Sequence, residues 1–575
     1  MSRRAARRGR ALYAVPIAFA AYASERAAWS QAPAGPDAAD APPLLPPPQP
    51  LPVAPPTRES PAPDQTGAAA PSRDELLDRL ARLERRLEQL ATQPRGSGPE
   101  AAGSGVRALG PDGGPLAGYS DKQFFLRDAG DDFVLIPKGR VQLDYYLFPS
   151  RGDLPAGVLA NSSADPRPKD VLFIRRARLG MAGTVAKILD YRVEAEFASL
   201  ATPGQYATLA DASIVLDTNP YVQFEAGQFY APFTLENATS ENYTDFTEKA
   251  LITRFAVPTS RETGGQLLGE APHKIVRYWI GIFEGDGQNF KSIDNKPAVI
   301  GRAVVAPFAA MPDHPKWMED VWIGGSFWYK NAVNEGGAAA PSTSGATAGD
   351  LSSVTTQGGW SVFSSNYSNG VTGGNAVRSH LAPDGVTSKF AFELNVPVMY
   401  RVGLRGEYVS ESIDFREYND VSSAGTVTRA TGAAGNLSGS GGYVEVYGWL
   451  GREISVDRPG VYQIPHWRGY QPPPPPGWAL MFAAKYEHLG FDVTRLPQTS
   501  NDSGKVVADA AVGHYALDVL ELGASLYYTR HARFSINYVL NYIGGGDGQP
   551  STALGKNLFF RTAEHELLLR WAVSF

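Results

Sequence analysis

The last segment of the chain, residues 564–575, constrains the fold more than any other feature. Large apolar residues recur at every second position from Leu567 to Phe575, while Glu566 and Arg570 occupy the other parity. Successive side chains of a β-strand point to opposite faces, so the segment predicts a strand with one apolar and one mostly polar face. An apolar strand that ends on an aromatic residue is typical of the closing strand of a bacterial outer-membrane β-barrel. A half-buried edge strand of a soluble β domain is the alternative.

The same two-residue period recurs along the chain from about residue 124 onward. Many runs have about 9–11 residues, the length with which a tilted strand crosses hydrocarbon. Membrane barrels of one chain prefer even strand numbers, and closure removes exposed strand edges. The sequence therefore predicts an all-β fold, a 16-stranded antiparallel transmembrane β-barrel over residues 119–575. The predicted strands are 138–148, 171–183, 190–198, 211–217, 221–229, 262–269, 275–284, 297–306, 320–330, 388–397, 399–410, 441–450, 478–487, 522–529, 533–542 and 564–575.

Long polar segments separate some of these strands. Residues 331–387, 411–440, 451–476 and 488–511 are rich in Gly, Ser, Thr, Asn or Pro, whereas the connection at 217–220 is short. Long loops on one rim and short turns on the other are the asymmetry of outer-membrane barrels. We therefore expect the four long segments on one rim.

Composition agrees with an exported membrane barrel. The 575 residues include no Cys but 60 Gly, 26 Tyr and 26 Phe, and the mean hydropathy is −0.23. Hydropathy averages out in a barrel because lipid-facing residues alternate with polar lumen residues. Past residue 30, no run approaches the roughly 20 apolar residues of a membrane helix. The formal net charge is −6, so any preference for anions must come from local placement of Arg and Lys.

The N-terminus predicts a signal peptide over residues 1–23. A basic start is followed by an apolar stretch from Ala11, and Ala21 and Ala23 are the small residues of a cleavage site. Cleavage after Ala32 is the alternative.

Two linkers and a short helix follow the signal peptide. Residues 24–71 are rich in Ala and Pro and predict a disordered linker, and residues 94–118 predict a second flexible linker. Between them, residues 72–93 open on a capping box and predict a coiled-coil helix, because leucines recur at heptad spacing. A lone amphipathic helix is the alternative. The heptad positions are Leu76, Leu80, Leu83, Leu87 and Leu90.

Three motifs in the first strands point to a family. They are a Gly-Arg strand start at 139–140, an Arg-Arg-Ala strand at 175–177 and a Gly-x-Phe-Tyr-x-x-Phe strand end at 227–233. The series resembles the phosphate-selective porins O and P, most clearly over residues 138–310. The resemblance implies homotrimers of 16-stranded barrels in the outer membrane of a Gram-negative bacterium, with an inward-folded constriction loop after residue 233.

The same resemblance implies an anion-binding constriction formed by Arg140, Arg175, Arg176 and Lys249. Arg178 has the parity of Arg176, which predicts that it also faces the lumen, so we include it. Arg suits oxyanions because its planar fork donates parallel hydrogen bonds, and rings of Arg and Lys in a pore select anions. The alternative is that Arg175 and Arg176 balance acidic residues of neighbouring strands. Those residues are Glu194, Glu196 and Glu225.

Two departures from the family pattern weaken the expected phosphate site. Asn237 stands where the family has a lysine, and Ala210 stands where it has an acidic residue, with Asp211 beside it. Losing one charge-assisted hydrogen bond costs about 1.5–3 kcal/mol. We therefore expect weak or absent phosphate block, strengthened by Asn237→Lys.

The sequence contains no enzyme, cofactor, nucleic-acid or metal motif, and its eight His form no metal-spaced pair. The resemblance implies a porin for passive diffusion of small hydrophilic solutes, with an anion preference and contact with outer-membrane lipid. The alternative is a structural protein that tethers the membrane to the cell wall or a periplasmic partner through residues 72–93. Either function places the N-terminal segment in the periplasm.

Overall fold

The computed structural model describes residues 109–575 apart from several gaps. The predicted segments 1–23, 24–71 and 72–93 lie outside the described residues. The gaps are 121–122, 152–166, 199–206, 290–293, 333–350, 352, 373–374, 422–426, 452–459, 461–465, 473–476, 496–511, 530 and 546–561.

The regular secondary structure of the described residues is almost entirely β-strand. The strands are β1 Ala117–Ser120, β2 Gln123–Arg127, β3 Phe133–Ser150, β4 Val171–Val185, β5 Leu189–Glu196, β6 Thr208–Leu216, β7 Gln223–Tyr230, β8 Arg261–Glu270, β9 Val276–Phe283, β10 Ala298–Val305, β11 Trp322–Ala332, β12 Val354–Thr355, β13 Ser361–Phe363, β14 Asn366–Thr372, β15 Asn375–Val398, β16 Val402–Val421, β17 Val427–Gly451, β18 Ala479–Arg495, β19 Gly513–Thr529, β20 Ala532–Gly545 and β21 Thr562–Ser574. The helices are α1 Leu251–Ala256 and the 3-10 turns Pro272–Lys274 and Lys316–Asp320. None of these described helices has the length and apolar character of a membrane span.

Sixteen strands, β3–β11 and β15–β21, form a closed antiparallel barrel, as predicted. The last strand pairs with the first, with Arg570 opposite Asp144 in the register. β1, β2 and β14 extend the same sheet beyond the barrel wall, and β12 and β13 form a separate hairpin. Because the wall is closed, every barrel strand has a hydrogen-bonded neighbour on both sides. A strand in a membrane needs this, since hydrocarbon offers no hydrogen-bond partner to an unpaired backbone group.

The two-residue period sorts side chains between lipid and lumen. In β21, Glu566, Leu568 and Arg570 are fully buried, whereas Trp571 and Val573 are about half exposed on the outer face. Leu568 breaks the polar parity, and its side chain joins an apolar cluster inside the barrel. The inner face is therefore mostly polar but carries apolar packing where a connection folds inward.

Strands β15–β18 are longer than predicted. β17 alone has 25 residues. Most of the predicted loop 411–440 and the first part of the predicted loop 488–511, residues 488–495, are strand. A tilted strand crosses the hydrocarbon with about 9–11 residues. Beyond that length the outer face turns polar, while inward residues such as Phe415, Leu437 and Phe491 are buried in the apolar cluster inside the barrel. The apolar parity therefore changes from the outer to the inner face, which interrupts the alternation in the sequence while the ladder continues.

The prediction that residues 451–476 form a long loop on the rim of the other long segments is wrong. The segment joins the end of β17 to the start of β18, which places it on the rim of short turns such as 186–188. There Trp467 packs 4.8 Å from the ring of Phe125, beside Val134. The ends of strands bury apolar side chains at this rim, and the aromatic segment covers them.

The structured region begins earlier than the predicted boundary at residue 119. Residues 109–116 fold against the same rim, where Arg127 Nη2 lies 2.6 Å from Asp112 Oδ1 and Arg127 Nε donates to Pro115 O at 3.0 Å. The pKa of Asp112 is held well below its usual range, chiefly by the hydrogen bond from Arg127 and also by one from the backbone N–H of Tyr470. The end of the predicted linker 94–118 is therefore a folded clasp.

The connection between β7 and β8, residues 231–260, lies inside the barrel, as the resemblance implied. It contains α1, and Phe233, Leu251 and Phe255 are at most 3 % exposed. Its side chains and backbone bond to inward residues of strands all around the wall, and a segment can do this only from within. These wall residues include Arg140, Arg175, Glu407, Glu487, Asn537 and Arg570. We call residues 231–260 the inner loop.

Candidate functional site

Two neighbouring strands carry most of the predicted site. In the β3–β4 register, Arg140 pairs with Arg178 and Gln142 pairs with Arg176. All four side chains are buried on the inner face. Cross-strand neighbours lie about 5 Å apart at Cβ, so the register alone brings three guanidinium groups together.

A β-bulge explains how two consecutive arginines both point inward. Between β3 and β4 the register jumps from Gln142 opposite Arg176 to Leu143 opposite Ile174, which leaves Arg175 without a cross-strand partner. A bulge inserts one extra residue and re-aims its side chain. Arg175 therefore reaches the inner loop although strict alternation would direct it to the lipid.

Glu241 of the inner loop is the point on which the arginines converge. Nη1 of Arg140 and Nη1 of Arg178 lie 2.9 and 3.2 Å from Glu241 Oε2. Nη2 of Arg176 lies 3.3 Å from the other oxygen, Oε1. The carboxylate is 7 % exposed. A buried carboxylate contacted by several guanidinium groups is strongly favoured in its ionised form.

Arg175 makes a separate ion pair. Its Nε and Nη2 atoms donate to the two carboxylate oxygens of Glu248 at 2.8 and 3.0 Å. Glu248 also accepts from Arg570 Nη2 at 3.1 Å. The side chain of Arg175 is 33 % exposed, so it stands apart from the three arginines around Glu241. The acidic partners of Arg175 and Arg176 come from the inner loop, not from the strand residues considered in the sequence.

Lys249 lies near the same group without an acidic partner in direct contact among the described ion pairs. Its Nζ donates to the carbonyl oxygen of Asn237 at 3.1 Å and lies 4.8 Å from the ring centre of Tyr230. The guanidinium of Arg261 lies over the same ring at 4.0 Å and pairs with Asp211 at 2.9 Å. Tyr230 therefore holds two cations beside one aromatic face.

Asn237 does not face the pore. Its side chain is fully buried, and its Nδ2 donates to the carbonyl oxygens of Ala231 and Ser260 at 3.0 and 3.2 Å. These are the first and last residues of the inner loop, so the amide joins the two ends of the loop. The expectation that a lysine here would contact a passing anion does not fit this geometry.

Six cations form one group, which we call the basic cluster. Sequence reasoning missed two of them: Arg192 lies 3.9 Å from Asp211, and Arg261 pairs with the same carboxylate. The inward parity of Arg192 was the only available signal. The members are Arg140, Arg176, Arg178, Arg192, Lys249 and Arg261. Their acidic partners are Glu194, Glu196, Asp211 and Glu241.

A separate set of metal-ligating types occurs at the rim of short turns. One ligand atom each from Asp190, Asp217 and His466 lies within 4.8 Å of the others, and His466 Nδ1 is 2.9 Å from Asp190 Oδ2. The three positions are far apart in sequence, so no spacing revealed them. Within the described residues, they are the side chains that could share a metal ion.

The comparisons with known proteins agree with the predicted family. Residues 157–323 match the family model described as phosphate-selective porin O and P, which confirms the resemblance noted in the sequence. The matched range contains all of the predicted site except Arg140. A search of curated proteins finds no match.

Several solved structures are similar in form. OmpT of Vibrio cholerae, folded in vitro, has 9 % identity and a TM-score of 0.41, and the match covers 78 % of this chain and 98 % of that one. The outer membrane channel DcaP of Acinetobacter baumannii has 11 % identity and a TM-score of 0.41, covering 80 % and 100 %. An anion-selective porin of Comamonas acidovorans has 9 % identity and a TM-score of 0.37, covering 77 % and 99 %.

Proposed function

We propose that the chain is a porin, similar to the phosphate-selective porins O and P, that passes small hydrophilic solutes across the bacterial outer membrane with a preference for anions. The closed barrel with a polar inner face provides the route. The observation that carries the anion preference is the basic cluster, which lies on the inner wall beside the inner loop. Such a channel acts by passive diffusion and needs no catalytic group.

A local surplus of positive charge, and not the total charge of the barrel, supports the preference for anions. Among all buried described side chains, acidic residues outnumber basic ones. Among direct ion-pair contacts the order is reversed within the basic cluster, because its six cations have four carboxylates as partners within 4 Å. Charges separated by more than about 8 Å are largely screened at physiological salt. An anion that passes the cluster therefore responds to the local surplus.

The predicted site residues contribute unequally in this proposal. Arg140, Arg176 and Arg178 form the converging group, and Lys249 adds a cation on the loop side. Arg175, the more exposed of them, belongs to the approach and acts together with Glu248. Their burial on the lumen side and the shared position beside the inner loop support this assignment.

Planar-bilayer recordings in a KCl gradient test the function. The wild type is expected to conduct and to show a reversal potential displaced towards that of chloride. Neutralising Arg176 and Arg178 together to Gln should move the reversal potential towards that of potassium. Arg416→Gln is the control, because Arg416 pairs with Asp384 and is 39 % exposed. A protein that never conducts would refute the porin function, and an unchanged double variant would refute the site.

A second function, a tether, is favoured by the leucine heptads at 72–93. We propose that this segment lies in the periplasm, assembles in a homotrimer and contacts the cell wall or a periplasmic partner. Deleting residues 24–108 tests it and spares the clasp at 109–116. If the deletion variant still conducts in steps that are multiples of three but the cell envelope is weakened, the tether is supported. An intact envelope would leave only the porin function.

A further inference from the structure

The basic cluster contains an anion of its own. One carboxylate oxygen of Glu241 lies 2.9 Å from Arg140 Nη1 and 3.2 Å from Arg178 Nη1. The other oxygen lies 3.3 Å from Arg176 Nη2. Charge-assisted hydrogen bonds from guanidinium groups are the contacts that bind carboxylate and phosphate solutes. The carboxylate of Glu241 therefore occupies the position and makes the bonds that a bound oxyanion would make.

The rest of the inner loop is anchored independently of Glu241. Glu248 holds Arg175 and Arg570, and the backbone N–H of Thr247 donates to Asn537 Oδ1 at 3.0 Å. Further along, the backbone N–H of Leu251 donates to the wall carboxylate of Glu487 at 2.5 Å. The loop therefore keeps several attachments to the wall when the charge of Glu241 is removed.

The wall would hold two of the three guanidinium groups, those of Arg176 and Arg178, in place without Glu241. Arg176 Nη1 donates to Gln142 Oε1 at 2.9 Å, and Arg178 Nε donates to Glu196 Oε2 at 2.6 Å. Arg140 is the exception that depends on the loop, because it contacts Glu241 and the hydroxyl of Ser240, 3.3 Å from Nη2.

We propose that Glu241 is a tethered counter-anion that competes with solute oxyanions for the three guanidinium groups and thereby sets the affinity of the pore for them. The inference rests on the proposed anion-passing function of the same cluster. A group attached to the protein has a high effective concentration, so a free oxyanion must displace it. The wild type is then a weak binder of oxyanions through which they pass without long residence.

Two isosteric variants of the inner loop test this, with inorganic phosphate as the probe. Glu241→Gln removes the charge from the three arginines. Asp245→Asn removes one negative charge from the same loop, where Asp245 pairs with Arg405 outside the basic cluster, and leaves Glu241 in place. Phosphate binding is measured by equilibrium dialysis of the detergent-solubilised protein, and phosphate block of chloride current is measured in bilayers. Heat modifiability on gels checks that each variant is folded.

We expect Glu241→Gln to bind phosphate at least about tenfold more tightly, the factor that one charge-assisted hydrogen bond is worth. Asp245→Asn should stay within about twofold of the wild type. Adding Arg140→Gln to Glu241→Gln should reverse most of the gain. Equal effects of Glu241→Gln and Asp245→Asn on phosphate binding would show a general charge effect and overturn the proposal. So would no gain in either variant.

The binding measurement separates this inference from the proposed function. A protein that does not conduct but gains phosphate binding in Glu241→Gln would refute the porin function and support the counter-anion. A conducting protein without that gain would do the opposite. If Glu241→Gln fails to fold, Glu241→Ser is measured instead, and a folded serine variant without tighter phosphate binding counts against the proposal.

Discussion

The seam that closes the barrel depends on one fully buried ion pair. Arg570 of β21 lies opposite Asp144 of β3, and its Nε and Nη2 donate to the two carboxylate oxygens at 2.8 and 2.6 Å. Both side chains are 0 % exposed. Arg570→Met keeps the length of the side chain but removes its charge. We predict that this substitution lowers the free energy of unfolding more than the loss of an exposed ion pair does.

The magnitude follows from what the substitution leaves behind. Asp144 keeps a hydrogen bond from Tyr146 at 3.2 Å, and Glu248 keeps Arg175. Removing one partner of a buried pair costs about 3–5 kcal/mol. Because Glu248 retains a cation and Asp144 retains a hydrogen bond, we expect about 3 kcal/mol, the lower end of that range. Arg570→Met with Asp144→Asn should cost less than the single substitution, because no uncompensated carboxylate remains.

Reversible unfolding in urea, followed by fluorescence of the 10 Trp, measures this in lipid vesicles. The control is Arg416→Met, whose pair with Asp384 is partly exposed and is expected to contribute about 0–1 kcal/mol. A loss in Arg570→Met no greater than in the control would contradict the reasoning. So would a double variant less stable than Arg570→Met alone, because burial of an unpaired carboxylate could not then be the cause.

Three further outcomes are expected. Gly139→Ala should destabilise the barrel by about 1–3 kcal/mol, because a Cβ at this position would lie 2.1 Å from the Phe575 ring. Gly448→Ala is the control, because the nearest atom to its Cβ would be 3.9 Å away, and the unfolding of both variants is measured in urea. The pKa of Asp112 is lowered in the folded protein, so this carboxylate stabilises the clasp fully above the usual Asp pKa of about 4. That stabilisation is lost as pH falls through the lower folded pKa, and pepsin cleavage near the clasp should therefore rise at low pH. Asp112→Asn should show the same raised cleavage at every pH tested. Asn237→Lys should not strengthen phosphate block, and should instead raise current noise, because it removes two buried hydrogen bonds that close the inner loop.

The strand count was predictable because lipid and water impose opposite demands on alternate residues. Each of the 16 predicted runs overlaps one barrel strand. The inward position of Arg140, Arg176 and Arg178 followed from parity in the same way. The inward position of Arg175 could not be predicted from parity, because a bulge inserts one residue into the strand and reverses the alternation. The sequence carries no sign of where this bulge occurs.

The partners of the arginines were not predictable for a different reason. Glu241 and Glu248 lie in a connection without a repeating pattern, and their contacts depend on how the loop crosses the lumen. The segment 451–476 was misplaced for another reason, because its length and composition were given more weight than strand parity. It follows the twelfth predicted strand, whereas the other three long segments follow the ninth, eleventh and thirteenth, so the strand count already indicated the opposite rim.

The inner loop is held by opposite charges on its two sides, which explains why it is ordered in a water-filled space. On one side its carboxylates, Glu241 and Glu248, accept from arginines of the wall. On the other side its backbone N–H groups, those of Glu236 and Leu251, donate to acidic residues of strands β16 and β18. The loop therefore needs both a basic and an acidic wall, and a substitution that changes ion selectivity on either wall also changes how firmly the loop is held. Selectivity and loop order must then be measured together for each variant, because an altered reversal potential alone does not tell a changed field from a displaced loop.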